Sequence, residues 1–418
     1  MKLLRKTRIP HWYEYYRTPC PICGHVGGCM VNEKGDRVAC IRVESERYFS
    51  RNSALPSYLH FLKPKNIQKV EIDDADEYQN TYKSEDSTLD YVYRAFLEYL
   101  ELTDSHYQHL ISPKRELSDK QIVIRQYSSF PERPWEIVKM LSEDYGITDF
   151  TGVPGFYLKD NKYWTIAGTS GILIPYRNHY NQIVGFQYRI DHPPNVVEIK
   201  SNRQGWKAII KEQPDLVQVL LDGQVIFEKH VPLSKKWTNI IHDGEMLGWI
   251  RVAKGQRYYW LSSANKPQGT GSGNPAPIHV AVPISILKKW KSGTLQKAKT
   301  VWLTEGPLKA DISSDLIEKY YDSAELEKIG TTFLALPGVG AWRLALPIMK
   351  EMSVENVNLC FDADALSNPQ VKKHLIECAK FLKAQGYKGN LVIWNESEGK
   401  GIDDLLNNKK LPHVKKLF

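Results

Sequence analysis

Residues 301–306 read VWLTEG, an apolar run that ends on an acid and a glycine. Further apolar runs follow at 332–336, 357–361 and 391–394. Segments long enough for helices separate these runs, and the alternation predicts a parallel β-sheet with helices on its faces over residues 299–418. The last helix is the best defined, because Asn368 can cap it, Pro369 suits its first turn and Gly386 can end it.

Acidic side chains follow three of these predicted strands. Glu305 ends the first, Asp362 and Asp364 come after the run 357–361, and Asp403 lies downstream of the last strand. Parallel sheets place their ligands at the carboxyl ends of the strands, where these acids would meet. Oxygen ligands of this kind suit Mg²⁺ or Mn²⁺. Acids are common after strands, so each signal is weak alone and only the set predicts a metal site.

Four of the six cysteines lie close together near the start of the chain, at Cys20, Cys23, Cys29 and Cys40. The first two share a tight CPICG turn, and the segment 30–39 between the others has the composition of a hairpin. Four soft ligands converging from a turn and a hairpin predict a structural zinc ion in a module spanning residues 1–50. His25 is an alternative ligand to Cys29.

The chain of 418 residues, 42% hydrophobic and 25% charged, has the composition of a globular protein of two to three domains. No run approaches the roughly 18 apolar residues of a membrane span, so the expected location is the cytoplasm and no membrane partner is expected. The net charge of +8 is unevenly distributed, since residues 157–298 carry 19 Lys and Arg against 9 Asp and Glu. A basic region of this kind is typical of a nucleic-acid-binding domain, although a lysine-rich solvated surface would give the same count.

Composition along the chain predicts the remaining boundaries. Residues 51–87 are polar and acidic and indicate a linker, and residues 88–150 have the apolar spacing of a small helical unit. Short β-rich runs then fill residues 151–298, which form the basic domain. Within it, residues 192–257 show no clear period and are interpreted as an insertion.

The ordered set of Glu305-Gly306, Asp362-x-Asp364 and Asp403 in an alternating α/β domain resembles the TOPRIM domain of bacterial primases, topoisomerases and related nucleases. The order of a zinc module, a basic domain and TOPRIM is most similar to bacterial primases, particularly those of phages, plasmids and integrative elements. The segment 171–191 (GILIPYRNHYNQIVGFQYRID) is similar to the basic domain of those primases. The resemblance implies a multidomain α/β chain with an N-terminal zinc ribbon, an α+β basic domain and a C-terminal Rossmann-like domain with a parallel sheet.

The activity implied by this resemblance is synthesis of short RNA primers on single-stranded DNA from nucleoside triphosphates. Asp362 and Asp364, with Asp403, would hold Mg²⁺ on the incoming triphosphate, and Glu305 would bind a second ion or a water. The phosphates would be contacted by Arg177, Arg189 and Lys309. The sequence contains no GxxxxGK[ST] phosphate loop, so a replicative helicase would be a separate chain.

The chain departs from the family pattern at three places. Lys309 stands where replicative primases usually have an acid, Gly401 stands at the probable first position of an Asp-x-Asp motif, and the cysteines replace a Cys-His-Cys-Cys set. These departures keep two alternatives open. One is a TOPRIM nuclease that cleaves DNA or RNA, and the other is a non-catalytic protein that binds single-stranded DNA in replication.

Overall fold

The N-terminal part of the structure, a computed structural model, is an antiparallel sheet that carries the cysteines. Residues 4–7, 9–15, 18–25, 27–50, 56–62, 81–200, 206–221, 223–273 and 275–418 are described. The strands of the first sheet pair in the order β1-β2-β3-β4-β6-β5. Their bounds are Arg5–Lys6 (β1), Trp12–Glu14 (β2), Met30–Asn32 (β3), Arg37–Cys40 (β4), Tyr48–Ser50 (β5) and Ser57–Phe61 (β6).

Strands β3 and β4 form the predicted hairpin, with Met30 opposite Ala39. Strand β6 lies inside the predicted linker 51–87 and pairs with β4, so the first module continues beyond residue 50. Residues 51–55 and 63–80 of that linker lie outside the described residues. Its last residues pack on the basic domain, because the backbone N–H of Thr81 donates to the Gly269 carbonyl at 3.2 Å.

Four helices and a short strand follow the linker: Asp86–Glu98 (α1), Asp104–Ile111 (α2), Asp119–Arg125 (α3), Ser128–Ser129 (β7) and Pro134–Tyr145 (α4). The helical spacing predicted α1 correctly, and its buried face carries Leu89, Val92, Tyr93 and Phe96. This face packs on the sheet of the basic domain, where the Phe96 and Phe186 rings meet edge to face at 5.9 Å. The helices therefore share one hydrophobic core with the following domain.

The basic domain is built from eleven described strands. They are Phe156–Lys159 (β8), Tyr163–Ile166 (β9), Gly171–Arg177 (β10), Ile183–Ile190 (β11), Asn195–Lys200 (β12), Trp206–Glu212 (β13), Leu216–Leu221 (β14), Gln224–His230 (β15), Thr238–His242 (β16), Glu245–Lys254 (β17) and Tyr258–Trp260 (β18). The central sheet has the order β18-β11-β10-β7. The predicted insertion 192–257 contains two three-stranded sheets, β12-β17-β16 and β13-β14-β15, around a core of their own.

The C-terminal domain is a six-stranded sheet of order β19-β21-β20-β22-β23-β24. The strands are His279–Ala281 (β19), Thr300–Glu305 (β20), Thr332–Leu336 (β21), Asn356–Leu359 (β22), Lys388–Ile393 (β23) and His413–Lys416 (β24). The helices are Ile284–Leu287 (α5), Pro307–Tyr320 (α6), Ser323–Ile329 (α7), Ala345–Glu351 (α8), Pro369–Ala384 (α9) and Ile402–Asn407 (α10).

The four central strands of this sheet are parallel, as the sequence predicts, and the two edge strands are antiparallel. Buried clusters on both faces show that helices cover the sheet from two sides. The Asn368 side chain caps α9 by accepting the N–H groups of Gln370 and Val371. Strand β19 lies before residue 299, so the sheet starts earlier in the chain than the sequence indicated.

No helix in the described ranges is long and apolar enough to cross a membrane.

Candidate metal centre and carboxylate site

The four N-terminal cysteines converge on one point. The Sγ atoms of Cys20, Cys23, Cys29 and Cys40 all lie within 4.8 Å of one another. Those of Cys23 and Cys29, and those of Cys29 and Cys40, are 3.7 Å apart. Four sulfurs at the Zn–S distance of about 2.3 Å stand about 3.8 Å from one another in a tetrahedron. The cluster therefore has the ligand number and the approximate spacing of a tetrahedral zinc site.

Backbone and side-chain donors surround these sulfurs. The N–H groups of Arg42 and Val43 point at Cys40 Sγ from 3.4 and 3.3 Å, and the Arg42 guanidinium lies 3.5 Å from Cys29 Sγ. A hydrogen bond with Cys20 lowers the pKa of Cys29 to about 5, whereas burial raises the pKa of Cys40 to about 11. Donors that point at sulfur stabilise thiolates, which is the form that binds a metal.

The second site lies at the carboxyl end of the C-terminal sheet. Glu305 is the last residue of β20, and Gly306, with φ of +80°, allows the chain to turn directly into α6. This turn places Lys309 in the first turn of α6, on the side of the strand ends, where its ammonium forms an ion pair with Asp362 after β22. Strands β20 and β22 are neighbours, so two of the predicted acids meet around one lysine.

Asp403 approaches the same lysine from α10. A Cβ atom added to Gly401 would stand 2.5 Å from Asp403 Oδ1 and 2.9 Å from Lys309 Cε. The glycine therefore lets α10 come close enough for Asp403 and Lys309 to interact. Burial lowers the pKa of Lys309, but Asp362 and Asp403 outweigh this effect and raise it overall.

The other two predicted ligands are placed differently. Glu305 accepts the Val339 N–H at 2.5 Å, and burial raises its pKa while Lys309 offsets part of the rise. The Asp364 carboxylate forms no hydrogen bond or ion pair with a described residue and is half-buried. In the described part of the chain, the cysteine cluster is the only group of three or more potential ligands within 4.8 Å. The four carboxylates do not close into such a group.

Arg115 is a site residue that the sequence did not reveal. It lies between α2 and α3, and its guanidinium donates to Asp403 Oδ2 at 3.0 Å. The same guanidinium lies 3.4 Å from the Tyr258 hydroxyl of β18. The pairing joins residues 288 positions apart in the chain, and no local pattern marks it.

A buried ion network fixes α6, the helix that carries Lys309. Arg125 donates to Asp311 at 2.5 Å and to Asp315 at 2.8 Å, and Tyr127 donates its hydroxyl to Asp311 at 2.6 Å. His279 reaches the same Asp311 carboxylate at 3.1 Å. Because Asp311 is two residues from Lys309, this network holds the lysine in register with the strand ends.

The two arginines predicted to contact phosphate differ in access. Arg177 is buried, and its guanidinium donates to Asn181 at 3.2 Å and to Gln126 at 2.7 Å. Burial lowers its pKa to about 10. A guanidinium enclosed in this way has no free path to a phosphate, so the expected direct contact is not supported. Arg189 is half-buried, and its guanidinium forms no hydrogen bond or ion pair with a described residue.

Comparisons with known proteins give two kinds of match. A family described as a domain of unknown function (DUF3854) matches residues 290–412, which is less than half of the chain. No curated protein matches the sequence. The similar solved structures include bacterial primases, the family that the motifs resemble.

Three of these structures illustrate the extent of the similarity. The zinc-binding and RNA polymerase domains of the Aquifex aeolicus primase match with a TM-score of 0.42 and 12% identity, covering 98% of this chain and 81% of that chain. A DNA primase domain from Pseudomonas aeruginosa matches with a TM-score of 0.41 and 10% identity, covering 78% of this chain and 79% of that chain. A DnaG primase catalytic domain, described as bound to single-stranded DNA, matches with a TM-score of 0.37 and 11% identity, covering 78% of this chain and 80% of that chain. At these scores, function has to be inferred from the residues of this chain.

Proposed function

We propose that this chain is a primase-like nucleotidyltransferase that makes short RNA primers on single-stranded DNA, for the replication of a mobile element. The observation that carries the proposal is the meeting of Glu305, Asp362 and Asp403 around Lys309 at the carboxyl edge of a parallel sheet. Phosphoryl transfer needs positioned charge more than covalent chemistry from the protein, and this edge supplies both acids and a fixed cation.

Three of the predicted acids offer enough oxygen donors for one hard divalent ion, and binding would draw together carboxylates that form no such group in the described structure. The Asp364 carboxylate forms no hydrogen bond or ion pair with a described residue. Burial raises the pKa of Glu305, and the nearby Asp362 and Asp364 carboxylates add to this rise. These three side chains would hold the ion. When bound, Mg²⁺ or Mn²⁺ would neutralise charge on the triphosphate.

The remaining charged groups position the site. Asp403, predicted as a metal ligand, is buried and paired with Arg115, so we assign it the role of orienting Arg115 and Lys309. Lys309 would hold Asp362 in place and contact a phosphate. Arg189, whose guanidinium bonds to no described residue, would contact the template or the nucleotide. Arg177 would act only by holding the β10–β11 connection through its hydrogen bond to Asn181.

The cysteine module would hold zinc and grip the template strand. Its four sulfurs fit zinc in number, type and spacing, and a metal would fix a sheet of short strands. Nucleoside triphosphates would be the substrates, and a replicative helicase would be a separate partner chain.

The test is primer synthesis by the full chain on unprimed single-stranded DNA with ribonucleotides and Mg²⁺ or Mn²⁺. We expect incorporation by the unmodified chain and none by Asp362→Ala, because the substitution removes both a metal ligand and the partner of Lys309. Glu327→Ala, an exposed acid on α7 of the same domain, is the matched control and should be fully active. An active Asp362→Ala variant refutes the site, and degradation of labelled DNA without nucleotides identifies a nuclease instead.

One observation favours a second candidate, a non-catalytic protein that binds single-stranded DNA. The Lys309 ammonium already neutralises Asp362, and the carboxylates do not converge as a metal group. A protein of this class would bind single strands in a salt-sensitive manner and show no synthesis at any Mg²⁺ or Mn²⁺ concentration.

A further inference from the structure

The insertion 192–257 has a sheet face that carries exposed side chains and is not covered by the described residues. One side of the β12-β17-β16 sheet packs against the β13-β14-β15 sheet through buried residues such as Ile240, Ile250 and Val252. Side chains alternate across a strand. The neighbours of these buried residues on the same strands, such as Asn239, Trp249 and Arg251, therefore point outward. The outward side carries two tryptophans, Trp237 and Trp249, each 37% exposed.

Cross-strand register sets one tryptophan beside a lysine and an amide. Trp249 on β17 lies opposite Lys200 on β12 and opposite Asn239 on β16. The Lys200 Nζ atom stands 5.9 Å from the centroid of the Trp249 ring. This row therefore places a cation, an aromatic ring and a hydrogen-bonding amide side by side.

The next outward row also combines a cation with an aromatic ring, but here the cation lies on β17 and the ring lies just before β16. Arg251 lies opposite Glu198, whose carboxylate it binds at 2.5 Å, and the Arg251 guanidinium lies 4.7 Å from the centroid of the Trp237 ring. Trp249 thus lies on β17 and Trp237 lies immediately before the neighbouring β16, one outward row away, at a diagonal separation of about 7–8 Å between backbone positions. Two rings at this spacing can each stack one base.

Charge decides which ligand the face fits. The Glu198 carboxylate is neutralised by Arg251, whereas the exposed Lys235 and Lys236 immediately precede Trp237. Aromatic rings interleaved with lysine and arginine are the combination that binds single strands, because bases stack on the rings and phosphates pair with the cations.

We propose that the outward face of the β12-β17-β16 sheet is a binding surface for single-stranded nucleic acid, separate from the carboxylate site. Bases stack on Trp237 and Trp249, and phosphates contact Lys200, Lys235 and Lys236. The proposal does not depend on nucleotide transfer, since binding to this face needs neither nucleotides nor a divalent ion.

The test measures binding of the full chain to a fluorescein-labelled oligo(dT) by fluorescence anisotropy, without nucleotides or Mg²⁺. A stacked base contributes about 1–3 kcal/mol, so Trp249→Ala and Trp237→Ala should each raise Kd at least about fivefold. Trp249→Phe, which retains a ring, should recover most of the affinity. Trp135→Ala on α4 is the matched control, since Trp135 is 48% exposed and distant in sequence from the sheet, and it should bind as the unmodified chain does.

Salt dependence separates phosphate contacts from stacking. The double variant Lys235→Gln/Lys236→Gln should make the slope of log Kd against log salt shallower by about 1.4, because each lost contact with a single strand changes it by about 0.7. A blunt duplex, whose bases are already stacked, should bind more weakly and show no difference between Trp249→Ala and the control.

Two results would overturn the proposal. One is unchanged oligo(dT) affinity in both alanine variants while circular dichroism shows them folded. The other is unchanged affinity together with loss of self-association in sedimentation velocity, which would make the face a contact between copies of the chain.

Discussion

The charge on Lys309 can be removed with little change in side-chain length by Lys309→Met. The ammonium is paired with Asp362, and the two side chains are 18% and 21% exposed. Methionine fills a similar volume but leaves the Asp362 carboxylate without its cation. The variant therefore tests whether Lys309 serves as the resident counter-ion of the acidic site.

The expected loss of stability follows from burial. Removing one partner of a fully buried pair costs about 3–5 kcal/mol, and exposure of a fifth of each side chain places this pair at the low end, about 3 kcal/mol. A divalent ion that binds the freed carboxylates would restore much of the lost stability. At one hundred times its Kd, such an ion stabilises the folded state by about 2.7 kcal/mol.

The assay is urea unfolding of the full chain, in divalent-free buffer and again with Mg²⁺. Chelators are left out, because they would also strip the cysteine cluster. Without Mg²⁺, Lys309→Met should unfold at lower urea than the unmodified chain, and Mg²⁺ should raise its midpoint more than that of the unmodified chain. Lys319→Met, which alters an exposed lysine of the same helix, should match the unmodified chain in both buffers.

Manganese binding gives a second readout. Electron paramagnetic resonance should show tighter Mn²⁺ binding to Lys309→Met than to the unmodified chain, since the ion no longer competes with an ammonium. If the variant loses less than about 1 kcal/mol and binds Mn²⁺ no better, the lysine does not neutralise the site and the reasoning is wrong.

Three further predictions concern other parts of the chain. The purified protein should contain a single zinc ion by elemental analysis, and Cys40→Ser should lose it and lower the melting temperature of the N-terminal sheet. Asp311→Asn should destabilise the chain by about 3–5 kcal/mol in urea unfolding, because it leaves the buried Arg125 without its closest partner. Burial alone would raise the pKa of Asp311, but Arg125 and the other partners lower it to about 2. The stabilisation that the ionised carboxylate provides should therefore be complete above the usual carboxyl pKa of 3.8 and fall as the pH drops toward 2. Burial lowers the pKa of His109 from 6.5 to about 4. The contribution of the neutral imidazole to the stability of the folded chain is therefore complete above pH 6.5 and is lost as the pH falls toward 4. The melting temperature of His109→Gln should change less with pH between these values than that of the unmodified chain.

Local signals predicted the parts of the structure that local physics determines. The cap, the first turn and the end of α9 can be read from Asn368, Pro369 and Gly386, because each acts on its own stretch of backbone. The hairpin between Cys29 and Cys40 is determined in the same way, and with it the convergence of the cysteines.

Contacts between distant segments were not predictable from local patterns. The pairing of Arg115 with Asp403 and that of Arg125 with Asp311 join residues 288 and 186 positions apart. Neither arginine lies in a motif, and each acquires its role only when α6 and α10 pack against the helical unit. The sequence did not predict the strands of the insertion for another reason. Many of their residues are only half-buried, so apolar and polar residues do not alternate cleanly along the strands.

The two departures from the primase pattern in the acidic motifs are spatially one feature. In the sequence, Lys309 and Gly401 are separate losses of an acid, and each weakens the case for a metal site. In the structure, a Cβ added to Gly401 would stand 2.9 Å from Lys309 Cε and 2.5 Å from Asp403 Oδ1, so both side chains would have to move to admit it. The glycine therefore leaves room for the lysine beside Asp403. The same lysine neutralises Asp362. The acidic site therefore balances part of its negative charge with a lysine side chain, whereas a site with more acids would need another metal ion for that balance.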